Sequence, residues 1–146
     1  MLKCAVMSAR KPPHAEDPLG LGRPPRVLVV DDDDDTRDML QMLLASLGWS
    51  VVVASSGVDA IERFDPAAID LILTDVGMAE MDGFMLLERL RELPPPHTPA
   101  IAVTGYGGDE TAVRIREVGF DGHLTKPFHL VSLIEMLREI AARRGE

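Results

Sequence analysis

Val27-Leu28-Val29-Val30-Asp31-Asp32-Asp33-Asp34-Asp35 is the stretch that decides how this 146-residue chain folds. Four aliphatic residues in a row, apolar on both faces, suit a strand buried between two layers rather than one exposed on one side. The run ends abruptly in five aspartates, so the strand stops at Val30 and places Asp31 and Asp32 at its carboxyl end. Asp33 to Asp35 then read as loop and helix-capping residues.

Moving outward, short apolar runs alternate with stretches of helical periodicity. Met39, Leu40, Leu43, Leu44 and Leu47 recur at helical spacing, and Gly48 stops that helix. Val51–Val53 is a second strand, and Ile61 and Phe64 belong to a short helix before Pro66. Leu71–Leu73 is a third strand; Phe84, Leu86, Leu87 and Leu90 mark a helix ended by Pro94–Pro96. Ala100–Val103, the helix with Ala112, Ile115 and Val118 capped by Gly119, the strand His123–Thr125, and the stripe Leu130, Leu133, Ile134, Leu137 and Ile140 complete the series. Five strand–helix units in strict alternation predict an α/β domain with a parallel sheet and right-handed crossovers.

Charge divides the chain unevenly. Residues 1–25 carry four basic and two acidic side chains, whereas residues 26–146 carry eleven basic and twenty-two acidic, for a total of −9. An acidic body argues against the phosphate backbone of nucleic acid as partner and favours a cation or a basic protein. Residues 1–25 also hold five of the eleven prolines and no periodic apolar pattern; they read as a flexible leader, with the domain spanning 26–146. The single cysteine, Cys4, permits no intrachain disulfide and fits a reducing cytoplasm. No apolar run approaches the roughly 18 residues that cross a bilayer, and no membrane contact is expected.

Ligands of open parallel sheets bind beyond the carboxyl ends of the strands. Asp31 and Asp32 follow the first strand, Asp75 the third, Thr104 the fourth and Lys126 the fifth. Three carboxylates crowded together repel one another, and a hard divalent cation such as Mg²⁺ relieves that repulsion. With the repulsion relieved, one carboxylate can attack a phosphoryl donor, while Lys126 and the Thr104 hydroxyl neutralise and position the transferred group. Singly, each residue has a plainer role: Asp75 as a helix cap, Thr104 before Gly105 as a turn residue, Lys126 as a surface lysine. The argument rests on their coincidence at successive strand ends.

These residues carry a resemblance. Val-Leu-Val-Val-Asp31-Asp32-Asp33, Leu-Ile-Leu-Thr-Asp75-Val-Gly-Met-Ala-Glu-Met-Asp82-Gly83, Ala-Val-Thr104-Gly and Leu-Thr-Lys126-Pro127-Phe128 lie in the order and spacing of a response-regulator receiver domain of two-component systems, and the resemblance covers about four-fifths of the chain. It implies a flavodoxin-like, doubly wound sheet of five parallel strands in the order 2-1-3-4-5, with five helices. Asp75 would be the phosphoacceptor. Asp32 would bind Mg²⁺ directly with Asp31 assisting, Asp75 and the Gly77 backbone carbonyl completing the protein's ligands. Thr104 would move to bond the phosphoryl oxygen, with His123 in the place of the usual switch aromatic. Lys126 would pair with the carboxylate and then the phosphate, and the Lys126–Pro127 peptide would be cis. A histidine kinase or histidine phosphotransfer protein would supply the phosphoryl group. A downstream protein would be met through helix 4, strand 5 and helix 5, with Arg114, Arg116, Glu117, Glu135 and Arg138 as candidates to decorate that face. A homodimer formed on phosphorylation is left open.

Three positions depart from the family pattern. Ala79 stands where proline is usual, Gly77 offers no side chain over the phosphoryl group, and His123 replaces Tyr or Phe. Since nothing follows Glu146 that reads as an output domain, a stand-alone receiver, not an enzyme beyond its own phosphorylation and dephosphorylation, is the expectation. The alternatives are the receiver of a hybrid sensor kinase, toward which His123 and the Thr-Gly-Tyr-Gly run lean, and an aspartate-nucleophile phosphatase of the haloacid dehalogenase type. The phosphatase reading is disfavoured because Gly77 stands where a second aspartate would act as general acid. A degenerate receiver that takes no phosphate is opposed by the full acidic set and Lys126.

Overall fold

Each aliphatic run forms a strand and each periodic stretch a helix. The computed structural model describes residues 16–105 and 108–144. Its elements are β1 (Arg26–Val30), α1 (Asp34–Ser46), β2 (Ser50–Ala54), α2 (Gly57–Arg63), β3 (Leu71–Asp75), α3 (Gly83–Leu90), β4 (Ala100–Thr104), α4 (Asp109–Val118), β5 (Gly122–Thr125) and α5 (Leu130–Arg144). The strands form one sheet in the order β2-β1-β3-β4-β5, and every pairing is parallel. This is the flavodoxin-like, doubly wound arrangement with five helices.

Successive side chains on a strand point to opposite faces, so each strand feeds two cores. Leu28, Val30, Ile72, Ala100 and Ala102 pack with Ala60 of α2, Phe84, Leu86, Leu87 and Leu90 of α3, and Ile115 of α4. Val27, Val29, Leu71, Leu73, Ile101 and Val103 pack with Leu40 and Leu44 of α1 and Leu133, Leu137 and Ile140 of α5. Each fully buried leucine, such as Leu44 or Leu137, contributes about 1.5–3 kcal/mol relative to an exposed one. The α1 stripe is narrower than its periodicity suggests. Leu40 and Leu44 are buried, but Met39 is 53% and Leu43 36% exposed.

The first three helices begin where side chains satisfy their free N–H groups. Asp33 caps α1 by accepting from the Thr36 N–H at 3.0 Å, Ser56 caps α2 through the Asp59 N–H at 3.0 Å, and Asp82 caps α3 through the Met85 N–H at 2.9 Å. Gly119 ends α4 in the left-handed region at φ 112°, where a side chain would be strained.

Residues 16–25 differ from the free leader read in the sequence; residues 1–15 lie outside the described residues. The Trp49 indole N–H donates to the Glu16 carbonyl at 3.1 Å, and Leu19 packs against the α1/α5 core. Arg23 grips Asp70 with two hydrogen bonds of 2.6 and 3.0 Å. The Arg26 N–H also donates to Asp70, at 2.8 Å. The boundary drawn after Pro25 therefore cuts through one set of ion pairs.

The sheet order reverses between β1 and β3: β2 lies outside β1, while β4 and β5 lie beyond β3. At such a reversal the flanking helices diverge to opposite faces and leave a crevice at the carboxyl ends. Asp31 and Asp75 stand at its two sides.

Candidate functional site

Asp31 follows β1 and is 1% exposed. It is held from several directions: its N–H donates to the Ala54 carbonyl at 3.2 Å, and its Oδ1 accepts the Asp33 N–H at 2.9 Å. Its carbonyl accepts from Arg37 at 2.8 Å. Asp32 turns outward and accepts the Ala79 N–H at 3.2 Å, which ties the end of β1 to the loop after β3. Asp75, the last residue of β3, accepts the Gly77 N–H on Oδ1 at 3.1 Å. One oxygen from each of the three carboxylates can be chosen so that all lie within 4.8 Å of one another.

Lys126, directly after β5, reaches across to this cluster. Its Nζ donates to Asp31 Oδ2 at 2.9 Å and to Asp75 Oδ2 at 3.5 Å. Partial burial alone would lower its pKa, but the hydrogen bond to Asp31 and the charges of Asp75 and Asp31 outweigh burial and hold the ammonium above its ordinary value. It is therefore a fixed positive charge at neutral pH. The Lys126 N–H donates to the Thr104 carbonyl at 2.7 Å, which locks the ends of β4 and β5 together, and the Lys126–Pro127 peptide is cis. The last helix begins only at Leu130, so Lys-Pro-Phe forms a loop before it.

Thr104, 3% exposed, lines the same cleft as Asp75 and Lys126, a space of about 780 Å³. Gly77 borders it and adds no side chain. His123 lies half-buried on β5, paired in register with Ala102. The cleft thus gathers Asp75, Thr104, Lys126 and Gly77, with Asp31 and Asp32 completing the acidic cluster behind Asp75.

The cleft has another wall that the sequence reading did not assign to the site. Phe84 of α3 and Glu110, Thr111 and Arg114 of α4 line it. Their spacing at i, i+1 and i+4 marks one face of α4, but no pattern in the sequence shows that this face turns toward Asp75. Gly83 has a clearer local reason: a Cβ there would lie 2.4 Å from the Asp75 carbonyl oxygen and 2.8 Å from the Val76 Cα. Only glycine lets α3 start in contact with the Asp75 backbone.

The donor set suits a small hard cation. Three carboxylate oxygens within this distance match the oxygen-rich coordination that Mg²⁺ takes, with room for water on the open side at Asp32. Among the described residues, no helix is long and apolar enough to cross a membrane.

Comparison with known proteins points the same way. Over 114 residues the chain is 42% identical to an uncharacterized 14.6 kDa protein in the sodA1 3' region of Leptolyngbya boryana, covering 77% of this chain and 87% of that one. It is 35% identical to the transcriptional regulatory protein TrcR of Mycobacterium tuberculosis, over 84% of this chain but only 47% of TrcR. It is 40% identical to the autoinducer 1 sensor kinase/phosphatase LuxN of Vibrio campbellii, over 77% of this chain and 13% of LuxN. A crystal structure of a putative response regulator from Chloroflexus aurantiacus superposes with a TM-score of 0.75 at 31% identity, covering 83% of this chain and all of that one. Residues 27–138 match the model of the response regulator receiver domain. With the fold, the strand-end acidic cluster and this match in agreement, the chain belongs to the receiver domain family of two-component response regulators.

Proposed function

We infer that Asp75 accepts a phosphoryl group from a histidine kinase or a histidine phosphotransfer protein, and that the domain passes the signal on by protein contact. The observation that carries this reading is the bridge from Lys126 Nζ to Asp31 and Asp75, at 2.9 and 3.5 Å, inside a cluster of three carboxylates. Asp31, Asp32, Asp75 and the Gly77 carbonyl are the residues that would hold Mg²⁺. When bound, the ion offsets the carboxylate repulsion and draws charge from the phosphoryl oxygens.

The chain's own groups do the rest. The Asp75 carboxylate oxygen attacks phosphorus in line with the leaving group. Lys126, kept charged by its carboxylate partners, meets the phosphoryl oxygens as they arrive. The Thr104 hydroxyl donates to the same group. The domain catalyses its own phosphorylation and dephosphorylation and turns over no separate substrate. Phosphorylation then biases a two-state equilibrium through Thr104 and His123 toward the face formed by α4, β5 and α5. That face meets the downstream protein or, on phosphorylation, a second copy. The excess of acidic groups after residue 25 favours a protein partner over nucleic acid. The test is incubation with acetyl phosphate and Mg²⁺ followed by intact mass. The expected result is a gain of one phosphoryl group in the wild type, and none in Asp75→Asn or without Mg²⁺; a modified Asp75→Asn protein overturns the assignment.

A second reading, the receiver module of a hybrid sensor kinase, is favoured by the 40% identity to part of the sensor kinase/phosphatase LuxN. It predicts phosphotransfer from a kinase encoded directly upstream, measured with the purified kinase; transfer only from an unlinked kinase speaks against it.

A further inference from the structure

Arg114 lines the same cleft as Asp75, Thr104 and Lys126. Its guanidinium carbon lies 4.0 Å from the centroid of the Phe84 ring, a cation–π contact that fixes the charge in place. Phe84 is itself 7% exposed and stacks edge-on against Phe120. It directly follows Gly83, which abuts the Asp75 backbone. The guanidinium is therefore linked to the phosphoacceptor through a short chain of contacts, Arg114 on Phe84 and Gly83 on the Asp75 backbone. No carboxylate among the described residues forms an ion pair with Arg114 within 4.0 Å. Glu110, on the same wall, has the opposite sign, but Phe84 holds the guanidinium at a set place. Arg114 is exposed whereas Thr104 is buried, so the arginine lies at the rim of the cleft and Thr104 on its floor.

We propose that Arg114 selects the phosphodonor, favouring small acyl phosphates whose leaving group departs as a carboxylate; this rests on the phosphoacceptor reading of Asp75. In-line attack from the floor directs the leaving group toward the rim. With an acyl phosphate, a bond forms between an Asp75 carboxylate oxygen and phosphorus. The bond from phosphorus to the acyl oxygen breaks, and the electron pair leaves with the carboxylate. No proton moves. The negative charge growing on that oxygen faces the Arg114 guanidinium, which is already oriented. With phosphoramidate, whose nitrogen is protonated, the P–N bond breaks and the electron pair leaves on neutral ammonia. Arg114 gains nothing there.

The experiment compares second-order phosphorylation rate constants for acetyl phosphate and phosphoramidate, followed by intact mass at fixed Mg²⁺. Arg114→Met keeps an apolar stem against Phe84 and removes the charge. It is expected to slow acetyl phosphate by roughly three- to tenfold, the effect of one charge lining a solvent-open cleft, and to leave phosphoramidate within about twofold. Arg114→Lys restores most of the acetyl phosphate rate. A purely structural role moves both donors equally, so an unchanged ratio of the two rates overturns the proposal. If the wild type accepts neither donor, the phosphoacceptor reading itself fails; a wild type that accepts both, with no change of ratio in Arg114→Met, refutes the role of Arg114 alone.

Discussion

Replacing Lys126 by methionine removes the ammonium that bridges two of the three clustered carboxylates while keeping an apolar stem of similar length. Asp31 is 1% exposed, and its Oδ2 lies 2.9 Å from Nζ. Removing one partner of a buried pair costs about 3–5 kcal/mol, because the remaining charge stays desolvated. Water does reach this cluster, since Lys126 is 26% exposed and Asp32 opens outward, so the loss falls below that range, at about 2–3 kcal/mol. The sign with pH follows from the raised value of Lys126. A folded-state value above the unfolded one contributes stability that is complete below about pH 10 and lost as the pH rises through the folded value. The difference between the proteins is therefore flat from pH 6 to 9. In urea, without divalent ions, the midpoint falls by about 1–2 M. Adding Asp31→Asn to Lys126→Met recovers part of the loss, because the stranded charge is gone. Mg²⁺ stabilises Lys126→Met more than the wild type, since it replaces the missing positive charge. A midpoint within roughly 0.3 M of the wild type, or a double variant less stable than Lys126→Met, refutes the reasoning.

Three further substitutions probe the frame of the domain. Burial would push the Asp70 carboxyl up, but hydrogen bonds from Arg23, the Arg26 N–H and the Arg26 side chain outweigh it and bring the value from 3.8 down to about 2. Its stabilisation, about 2 kcal/mol after allowance for the solvent-open arginines, is present above about pH 4 and lost as the pH falls through 2. Urea unfolding of Asp70→Asn is therefore expected to differ from the wild type at pH 7 and to converge with it toward pH 2; a gap independent of pH speaks against this account. Gly83→Ala drives a Cβ into backbone at 2.4 Å, so it is expected to lose about 1–3 kcal/mol and to slow phosphorylation of Asp75. Gly57→Ala meets instead Met81, at 2.6 Å from Sδ and 2.9 Å from Cβ; Sδ can move but Cβ moves only with the loop, so a loss of about 1–2 kcal/mol is expected, with phosphorylation of Asp75 unchanged. An unchanged phosphorylation rate in Gly83→Ala would show that α3 does not index Asp75.

The sequence made the sheet and most of the site legible because both follow from local rules. An aliphatic run that ends in aspartates marks a buried strand and its carboxyl end in the same few residues, which is why Asp31, Asp32, Asp75 and Lys126 are found together at one edge. Packing between distant residues left no such mark. The proline-rich stretch before Arg26 reads as a free leader. Its anchors are single groups, the Glu16 carbonyl under Trp49 and Arg23 on Asp70, 33 and 47 positions away. The α1 stripe shows period but not the width of the covering layer, so Met39 and Leu43 share the helical spacing of Leu40 and Leu44 and yet lie exposed. Phe84 and Arg114 read as elements of two separate helices; only the packing of α4 beside α3 turns both toward Asp75.

The central claim is that one particular carboxylate takes the phosphoryl group. An acyl phosphate is reduced by borohydride to an alcohol, which converts a phosphorylated aspartate to homoserine. After incubation with acetyl phosphate and Mg²⁺, borohydride treatment and peptide sequencing by mass spectrometry locate the modified residue. The account predicts homoserine at position 75 and nowhere else. Homoserine at position 31 or 32, or no conversion in a protein that has gained a phosphoryl group, would contradict it.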